Sequence, residues 1–198
     1  MRIDVITLFP EIFASITDYG ISARAMKRGL WNIHFWNPRD VTEDVHRTVD
    51  DRPFGGGPGM VMMAEPLAKT LEYVRASGNS GPVIAFSPTG ERLTDAYVRS
   101  FSSQPAGQMV LVCGRYEGID ERFLETYVDH TVSLGDFVLS GAELAACALI
   151  DAVVRQLPGA IKELSASDES FSTGLLDAPH YTRPEVWRGK GVPEVLLT

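Results

Sequence analysis

Three short apolar runs, each followed by a turn, constrain the fold of this chain more than any other feature. The runs are residues 82–86, 109–113 and 131–134, with the sequences PVIAF, MVLVC and TVSL. Each is long enough for one buried strand, and segments with a helical spacing of apolar residues lie between them. Strands that alternate with helices are typical of a mainly parallel sheet with helices on both faces. The predicted fold class is therefore α/β.

The remaining segments extend this alternation. A buried strand is predicted at residues 2–8, and Pro10 follows at the first turn of a helix. The polar segment 39–51 has no clear period and is predicted to be a loop. A further strand is predicted at residues 33–36, and helices at residues 21–30, 65–75, 94–101, 120–127 and 141–155.

Turn residues follow all three apolar runs, as SPTG at 87–90, GRYEG at 114–118 and GD at 135–136. The carboxyl ends of parallel strands meet at one edge of a sheet, where ligands bind. The recurrence predicts three loops that converge on a single ligand. In residues 132–144, a strand that enters a glycine turn and then a helix leaves backbone N–H and C=O groups for a flat polar ligand. An ordinary strand-to-helix connection is the alternative.

The common nucleotide, metal and nucleophile signatures are missing. No segment reads G-x-x-x-x-G-K-[ST], and no glycine pair completes G-x-G-x-x-G after a strand. The four histidines are scattered without a His or Cys partner at ligand spacing, so no metal site is predicted. A Ser/His/Asp nucleophile set lacks its G-x-S-x-G elbow.

Composition bounds the location and the partners. A chain of 198 residues with 44% hydrophobic and 22% charged residues is one generous domain, or one domain with a short appendage. Cys113 and Cys147 lie in apolar runs, which favours free thiols in a reducing compartment. No signal peptide and no membrane-spanning run is present, so a cytoplasmic location without membrane contact is predicted.

The charge balance gives no clear indication of a nucleic-acid partner. The net charge of −8 argues mildly against one, because binding to a phosphate backbone is driven by cations. Two local basic clusters, at residues 24–28 and 183–190, could still contact RNA, although solvated surfaces are the simpler interpretation. The glycine-rich run 55–59 (GGGPG) is either a flexible loop or backbone that lies close to another group.

Four segments together resemble one known family. They are residues 46–62 (HRTVDDRPFGGGPGMVM), 114–122 (GRYEGIDER), 132–144 (VSLGDFVLSGAEL) and 179–184 (PHYTRP). In this order they resemble the bacterial tRNA (guanine-N1)-methyltransferases of the SPOUT class, the TrmD family. The resemblance runs from Met1 to Thr198.

The resemblance implies a fold, an activity and an assembly. It implies an α/β sheet with a deep trefoil knot, a rare topology that periodicity would not suggest. The knot would bind S-adenosylmethionine in a bent shape and release S-adenosylhomocysteine as product. The substrate would be N1 of the guanosine immediately 3′ of the tRNA anticodon, guanosine-37. The working unit would be a homodimer with shared active sites.

The resemblance also implies a division of the chain. Residues 1–160 would form the catalytic domain, and residues 161–198 the interdomain linker and the start of a C-terminal tRNA-binding domain. Family members continue beyond this point, so we expect the 198-residue chain to bind the methyl donor well and to methylate tRNA poorly.

The implied binding residues form two sets. The backbone of residues 134–139 and of Gly114 would match the polar edge of adenine, while Pro88 and Leu139 would supply apolar faces. The full donor-binding set is Ser87, Pro88, Gly90, Gly114, Arg115, Tyr116, Glu117, Gly118, Ser133, Leu134, Gly135, Asp136, Phe137, Val138, Leu139 and Gly141. The tRNA-binding set is Asp50, Arg52, Gly57, Gly59 and Arg183.

Catalysis at guanine N1 requires a base for its proton and a group that stabilises charge on O6. In the resemblance, an arginine facing O6 corresponds to Arg155. The family's aspartate falls on Glu169, with Asp168 immediately before it, so Glu169 is the predicted base and Asp168 the alternative. Mg²⁺ assistance is left open by the sequence. Two rival functions are a SPOUT methyltransferase acting on ribose 2′-hydroxyls of another RNA, and an RNA-binding module without enzymatic activity.

Overall fold

The computed structural model describes residues 1–104, 107–161, 170–171 and 176–197. The chain divides into two compact units, Met1–Glu163 and Leu164–Thr198. Among the described residues, no helix has the length and apolar content that crossing a membrane requires.

A five-stranded sheet with the strand order β2-β1-β6-β5-β7 organises the first unit. Every strand pairs with its neighbours in parallel, which confirms the predicted sheet type. The strands are β1 (Arg2–Ile6), β2 (Asn32–Trp36), β5 (Val83–Arg92), β6 (Gln108–Val112) and β7 (His130–Ser133). A separate antiparallel pair is formed by β3 (Asp50–Asp51) and β4 (Val61–Met62).

Helices cover both faces of the sheet. They are α1 (Ala14–Thr17), α2 (Gly20–Lys27), α3 (Ala64–Ala76), α4 (Asp95–Ser102), α5 (Glu121–Tyr127) and α6 (Glu143–Val154), with short 3₁₀ helices at Pro10–Phe13 and Pro38–Val41. One core cluster joins the sheet to α4 and α6, and the other joins it to α3 and α5. Along β6 the side chains alternate, because Met109 and Leu111 enter the first cluster and Val110 and Val112 the second. The predicted α/β class with helices on both faces is therefore confirmed.

Local sequence signals set several of these boundaries. Thr94 caps α4 by accepting a hydrogen bond from the Tyr97 N–H at 3.3 Å. Asp120 caps α5 by accepting one from the Arg122 N–H at 3.0 Å. The buried side of α3 carries Leu67 and its neighbours at helical spacing, as predicted.

Three predictions of local structure were wrong. The strand predicted to end before residue 87 continues to Arg92, because Phe86 and Glu91 both pair with Val132 and the four residues between them bulge out of the ladder. The predicted loop 39–51 contains part of a 3₁₀ helix and all of β3, since pairing with β4 orders it. Helix α6 begins at Glu143 rather than at residue 141.

The sheet also buries a carboxylate on β1. Asp4 has no exposed surface, and its oxygens accept hydrogen bonds from Arg2, Trp36 and Asn79 at 2.7–3.0 Å. Burial by itself would raise the pKa of Asp4, but the hydrogen bonds, that from Arg2 foremost, lower it below the ordinary value. Asp4 is therefore an ionised and fully bonded part of the core.

Both cysteines are free and buried, as expected. Burial, followed by the charge of Glu143, raises the pKa of the Cys113 thiol well above its ordinary value. A buried thiol with a raised pKa is chemically inert.

The described part of the second unit contains a short hairpin. Strands β8 (Val186–Trp187) and β9 (Lys190–Gly191) pair antiparallel, and a 3₁₀ helix follows at Glu194–Leu196. The Arg183–Pro184 peptide bond is cis.

Candidate active site

One cavity of about 420 Å³ lies where the three predicted turns meet. The bulge of β5, the loop after β6 and the loop after β7 form its walls, although they are distant in sequence. Its lining residues are Ala85, Phe86, Ser87, Pro88, Thr89, Gly114, Arg115, Tyr116, Glu117, Gly118, Ile119, Glu121, Leu124, Thr131, Val132, Ser133, Leu134, Gly135, Phe137, Val138, Leu139, Ser140, Gly141, Ala142 and Ala145. The predicted convergence of three loops on one site is present.

The loop after β6 is held against the end of the glycine-rich run. The Glu117 N–H donates to the Met60 carbonyl at 2.9 Å, and the Met62 N–H donates to the Gly118 carbonyl at 2.9 Å. Gly59 lies so close to Glu117 that a Cβ atom at residue 59 would overlap the Glu117 side chain. The glycine-rich run therefore approaches another group closely at Gly59, one of the two interpretations of its composition.

Tyr116 connects the cavity to the segment that contains β3. It is 45% exposed, has a φ of 60°, and its hydroxyl accepts a hydrogen bond from the Arg39 guanidinium at 3.2 Å. Burial, followed by the nearby Asp50 carboxylate, raises the pKa of the Tyr116 phenol. One side chain thus lines the cavity and also contacts the predicted tRNA-binding segment.

The loop after β7 is joined directly to the loop after β6. The Ala142 N–H, at the start of α6, donates to the Gly114 carbonyl at 3.0 Å. The loop after β7 exposes three large apolar side chains. Phe137, Val138 and Leu139 are 52%, 85% and 38% exposed. An exposed apolar loop beside a cavity provides a surface for a flat ring.

No sequence pattern predicted the buried ionic cluster behind this loop. Glu143 is 1% exposed, and its Oε2 lies 2.8 Å from Nε of Arg115. Its Oε1 accepts a hydrogen bond from the Thr7 hydroxyl at 2.9 Å. These three residues come from distant segments, so only the folded structure reveals the cluster.

Two residues of the predicted donor-binding set lie outside the cavity wall. Gly90 lies against β7, where a Cβ atom would overlap the Thr131 backbone, so this glycine permits close strand packing. Asp136 is 90% exposed and forms an ion pair with Arg92 at 3.1 Å. The other fourteen residues of that set line the cavity.

The structure describes the predicted tRNA-binding residues but not the predicted base. Asp50 is half-buried in β3, whereas Arg52, Gly57 and Gly59 are exposed in the following loop. Arg183 is exposed and belongs to the second unit. The predicted base Glu169 and its alternative Asp168 lie outside the described residues.

Arg155 is not brought to the cavity of its own chain. Helix α6 touches the cavity only at its start, through Ala142 and Ala145, and Arg155 is the residue after its last turn. Twelve helical residues span about 18 Å, at about 1.5 Å per residue. Ala145, the third residue of α6, lines the cavity, and the Arg155 Cα lies ten residues further on, about 15 Å along the helix axis.

The cavity fits the donor that the resemblance implies. It combines backbone groups at Gly114 and residues 134–139 with the apolar side chains of Pro88 and Leu139, the mixture that an adenosine moiety requires. Glu117 and Glu121 also line it, and their carboxylates complement a sulfonium cation. Within the part of the chain that the structure describes, no group of three His, Cys, Asp or Glu side chains could hold a metal ion.

Comparisons with known proteins identify the family. The family model described as tRNA (Guanine-1)-methyltransferase TrmD matches residues 1–198. The tRNA (guanine-N(1)-)-methyltransferase of Thiobacillus denitrificans is 60% identical over 201 residues, covering 99% of this chain and 84% of that protein. The protein of the same name from Stutzerimonas stutzeri is 57% identical over 200 residues, covering 100% of this chain and 79% of that protein.

A solved structure shares the whole fold. The crystal structure of tRNA (m1G37) methyltransferase from Aquifex aeolicus is similar with a TM-score of 0.84 and 39% sequence identity, and the match covers 100% of this chain and 83% of that chain. The parallel sheet and the loop-enclosed cavity, together with this likeness, define a methyltransferase of the SPOUT class with the knotted α/β fold of that class. The family match then narrows the class. The chain belongs to the TrmD family of tRNA (guanine-N1)-methyltransferases.

Proposed function

We propose that this chain transfers the methyl group of S-adenosylmethionine to N1 of the guanosine immediately 3′ of the tRNA anticodon, guanosine-37. The observation that carries the proposal is the cavity built by three loops at the carboxyl edge of the sheet. The family model matches the chain over all of residues 1–198. A tRNA substrate also implies a cytoplasmic location, which is part of the proposal.

The chain's own residues would hold the donor by shape and by polar backbone. The N–H and C=O groups of Gly114 and residues 134–139 bind the adenine edge, and Pro88 and Leu139 pack on its faces. Glu117 and Glu121 place negative charge beside the positive end of the ligand. When bound, the donor supplies a methyl group already activated by its sulfonium sulfur.

The acceptor sets the harder problem. Guanine N1 carries a proton and its lone pair is delocalised into the ring, so the proton must leave as negative charge forms on O6. Glu169 is the proposed base and Asp168 the alternative. A carboxylate with a pKa of about 4 is a weak base for this task. Arg155 therefore has to stabilise the O6 anion as it develops.

The position of Arg155 supports a homodimer with shared active sites. Arg155 is absent from the cavity wall of its own chain and follows the end of α6 opposite to the residues that line the cavity. A second copy can supply the arginine if the two copies pack with the helices antiparallel. We therefore propose that the donor cavity of one subunit works with Arg155 of its partner.

The tRNA would approach through the segment joined to Tyr116. Asp50, Arg52, Gly57 and Gly59 are proposed to contact the flipped guanine or the adjacent backbone, because a base must leave its stack before an enzyme reaches N1. Tyr116 lines the donor cavity and interacts with the Asp50 carboxylate, which connects this segment to the cavity. Arg183, in the second unit, is proposed to contact a phosphate.

Two measurements test the proposal. Calorimetry should show one S-adenosylmethionine bound per chain. Nuclease digestion and mass spectrometry of methylated tRNA should then show 1-methylguanosine at position 37. The transfer assay is run with Mg²⁺ and with EDTA, so that any contribution from Mg²⁺ is measured directly.

Separate Glu169→Gln and Asp168→Asn variants identify the base. Loss of the base should lower the rate about 10²–10⁴-fold with little change in donor affinity, while the other variant keeps most activity. Methylation on a ribose hydroxyl would refute the proposed reaction. Absence of donor binding would refute the proposed cavity.

A further inference from the structure

The buried carboxylate of Glu143 stands at the first residue of α6, beside the cavity but outside its wall. A carboxylate with 1% exposed surface is costly unless an opposite charge compensates it. The compensating cation is Arg115, whose Nε lies 2.8 Å from Oε2 of Glu143. The contact falls within ion-pair distance but lacks good hydrogen-bond geometry at either atom. Charge attraction, rather than an aligned hydrogen bond, therefore holds this pair.

Arg115 is fixed on its other sides by the loop after β7 and by Phe9. Its Nη1 donates to the Ser140 carbonyl at 3.3 Å, and its Cζ lies 4.4 Å from the centre of the Phe9 ring. The guanidinium also lies on Gly141, where a Cβ atom would overlap it. Arg115, Ser140 and Gly141 all line the cavity. The orientation of the Arg115 guanidinium therefore sets the position of the part of the cavity wall that Ser140 and Gly141 form.

The far side of Glu143 is anchored at the end of β1. The Thr7 hydroxyl donates to Oε1 of Glu143 at 2.9 Å and accepts a hydrogen bond from the Phe9 N–H at 3.0 Å. Thr7 is itself 1% exposed. One carboxylate thus connects the end of β1 with the two loops that meet at the cavity.

We propose that Glu143 is a positioning residue for methyl-donor binding. Its carboxylate holds the Arg115 guanidinium on the Ser140–Gly141 backbone, and the guanidinium keeps the loop after β7 at the distance from the loop after β6 that the donor requires. This inference rests on the proposed function, because it concerns the donor cavity. Glu143 touches neither the donor nor the reacting atoms, so its effect passes through Arg115.

The chain provides a matched control in Asp4. Asp4 is equally buried and is also paired with an arginine, but its partner Arg2 does not line the cavity, whereas Arg115 does. Asp4→Asn and Glu143→Gln each remove one buried negative charge from an arginine pair. Loss of stability alone would affect both variants alike, whereas loss of loop position would affect donor binding only at Glu143.

The test measures donor affinity by calorimetry at a temperature where circular dichroism shows each variant to be folded. Glu143→Gln should raise the dissociation constant of S-adenosylmethionine at least tenfold, and Asp4→Asn should change it less than twofold. Arg115→Lys keeps a cation beside Glu143 but cannot bind Ser140 in the same way, so it should also raise the constant at least tenfold. It tests the inference even if Glu143→Gln does not fold.

Two further readouts separate positioning from a general effect. The double variant Glu143→Gln/Arg115→Lys should bind the donor within threefold of the weaker single variant, because both changes disrupt the same contact. The dissociation constants of S-adenosylmethionine and of neutral S-adenosylhomocysteine should rise by the same factor, since the wall contacts both.

Three results would overturn the inference. They are a Glu143→Gln variant that binds the donor within twofold of the unmodified chain, losses that multiply in the double variant, and weakening confined to the cationic donor. Failure of the unmodified chain to bind S-adenosylmethionine is a different outcome, because it overturns the proposed function itself.

Discussion

Two inactive variants should restore activity to one another when they share a dimer. Arg155→Ala removes the proposed O6-stabilising group. Gly114→Val should weaken donor binding, because Gly114 lines the cavity and even a Cβ atom there would crowd the Ile119 side chain at 3.3 Å. The prediction depends on α6, along which the Arg155 Cα lies about 15 Å from Ala145, the last residue of the helix that lines the cavity. If each cavity uses the arginine of the partner, a heterodimer with one lesion on each subunit carries both lesions in the same active site. Its other active site is then intact.

The expected magnitudes follow from this geometry. Each variant homodimer should lose activity about 10²-fold or more, the usual effect of removing a group that stabilises a developing oxyanion or of blocking a binding site. In a heterodimer with one lesion on each subunit, one composite site contains both lesions and the other contains none. That heterodimer should therefore retain about half of the unmodified rate, by the two-fold symmetry of such an assembly.

The assay uses two affinity tags to purify the heterodimer, and single-turnover methyl transfer to tRNA normalised to the unmodified chain. The control is a heterodimer with both lesions on one subunit and none on the other. Shared sites predict almost no activity for this control, whereas sites contained in single subunits predict about half. An inactive heterodimer with separated lesions, together with a half-active control, would refute the shared-site reasoning.

Two further predictions concern stability. Asp4→Asn should lower the free energy of unfolding at pH 7 by about 3 kcal/mol, because it disrupts a buried ion pair. The pKa of Asp4 is lowered in the folded state, so its contribution is present above the unfolded pKa of about 3.9 and is lost as the pH falls through the folded pKa. Urea unfolding from pH 2 to 7 should therefore show a flatter profile for the variant; matching profiles would contradict this. Gly90→Ala should cost about 1–3 kcal/mol through overlap with the Thr131 backbone, whereas Gly191→Ala, with open space around it, should change stability by less than about 0.5 kcal/mol in the same measurement.

Much of the fold could be predicted because it depends on neighbours along the chain. Apolar runs of strand length, helical spacing in α3 and capping residues such as Thr94 are local signals, and the parallel sheet follows from their alternation. The end of β5 could not be predicted in this way. Its turn residues at 87–90 look like a strand end, but pairing with β7 resumes at Glu91.

The same distinction, between local signals and contacts of distant segments, applies to the candidate site. Turn residues after three strands, and two of the segments that resemble the TrmD family, residues 114–122 and 132–144, predicted the loops that enclose the cavity. Neither signal identified the contact between Thr7 and Glu143, whose positions are 136 residues apart, or the ion pair that fixes Arg115 on the loop. Taken alone, the sequence determined which segments form strands, helices and turns, because those preferences act over a few residues. Only the tertiary structure decided which buried charges meet, since a carboxylate can be compensated by any cation that the folded chain brings within reach.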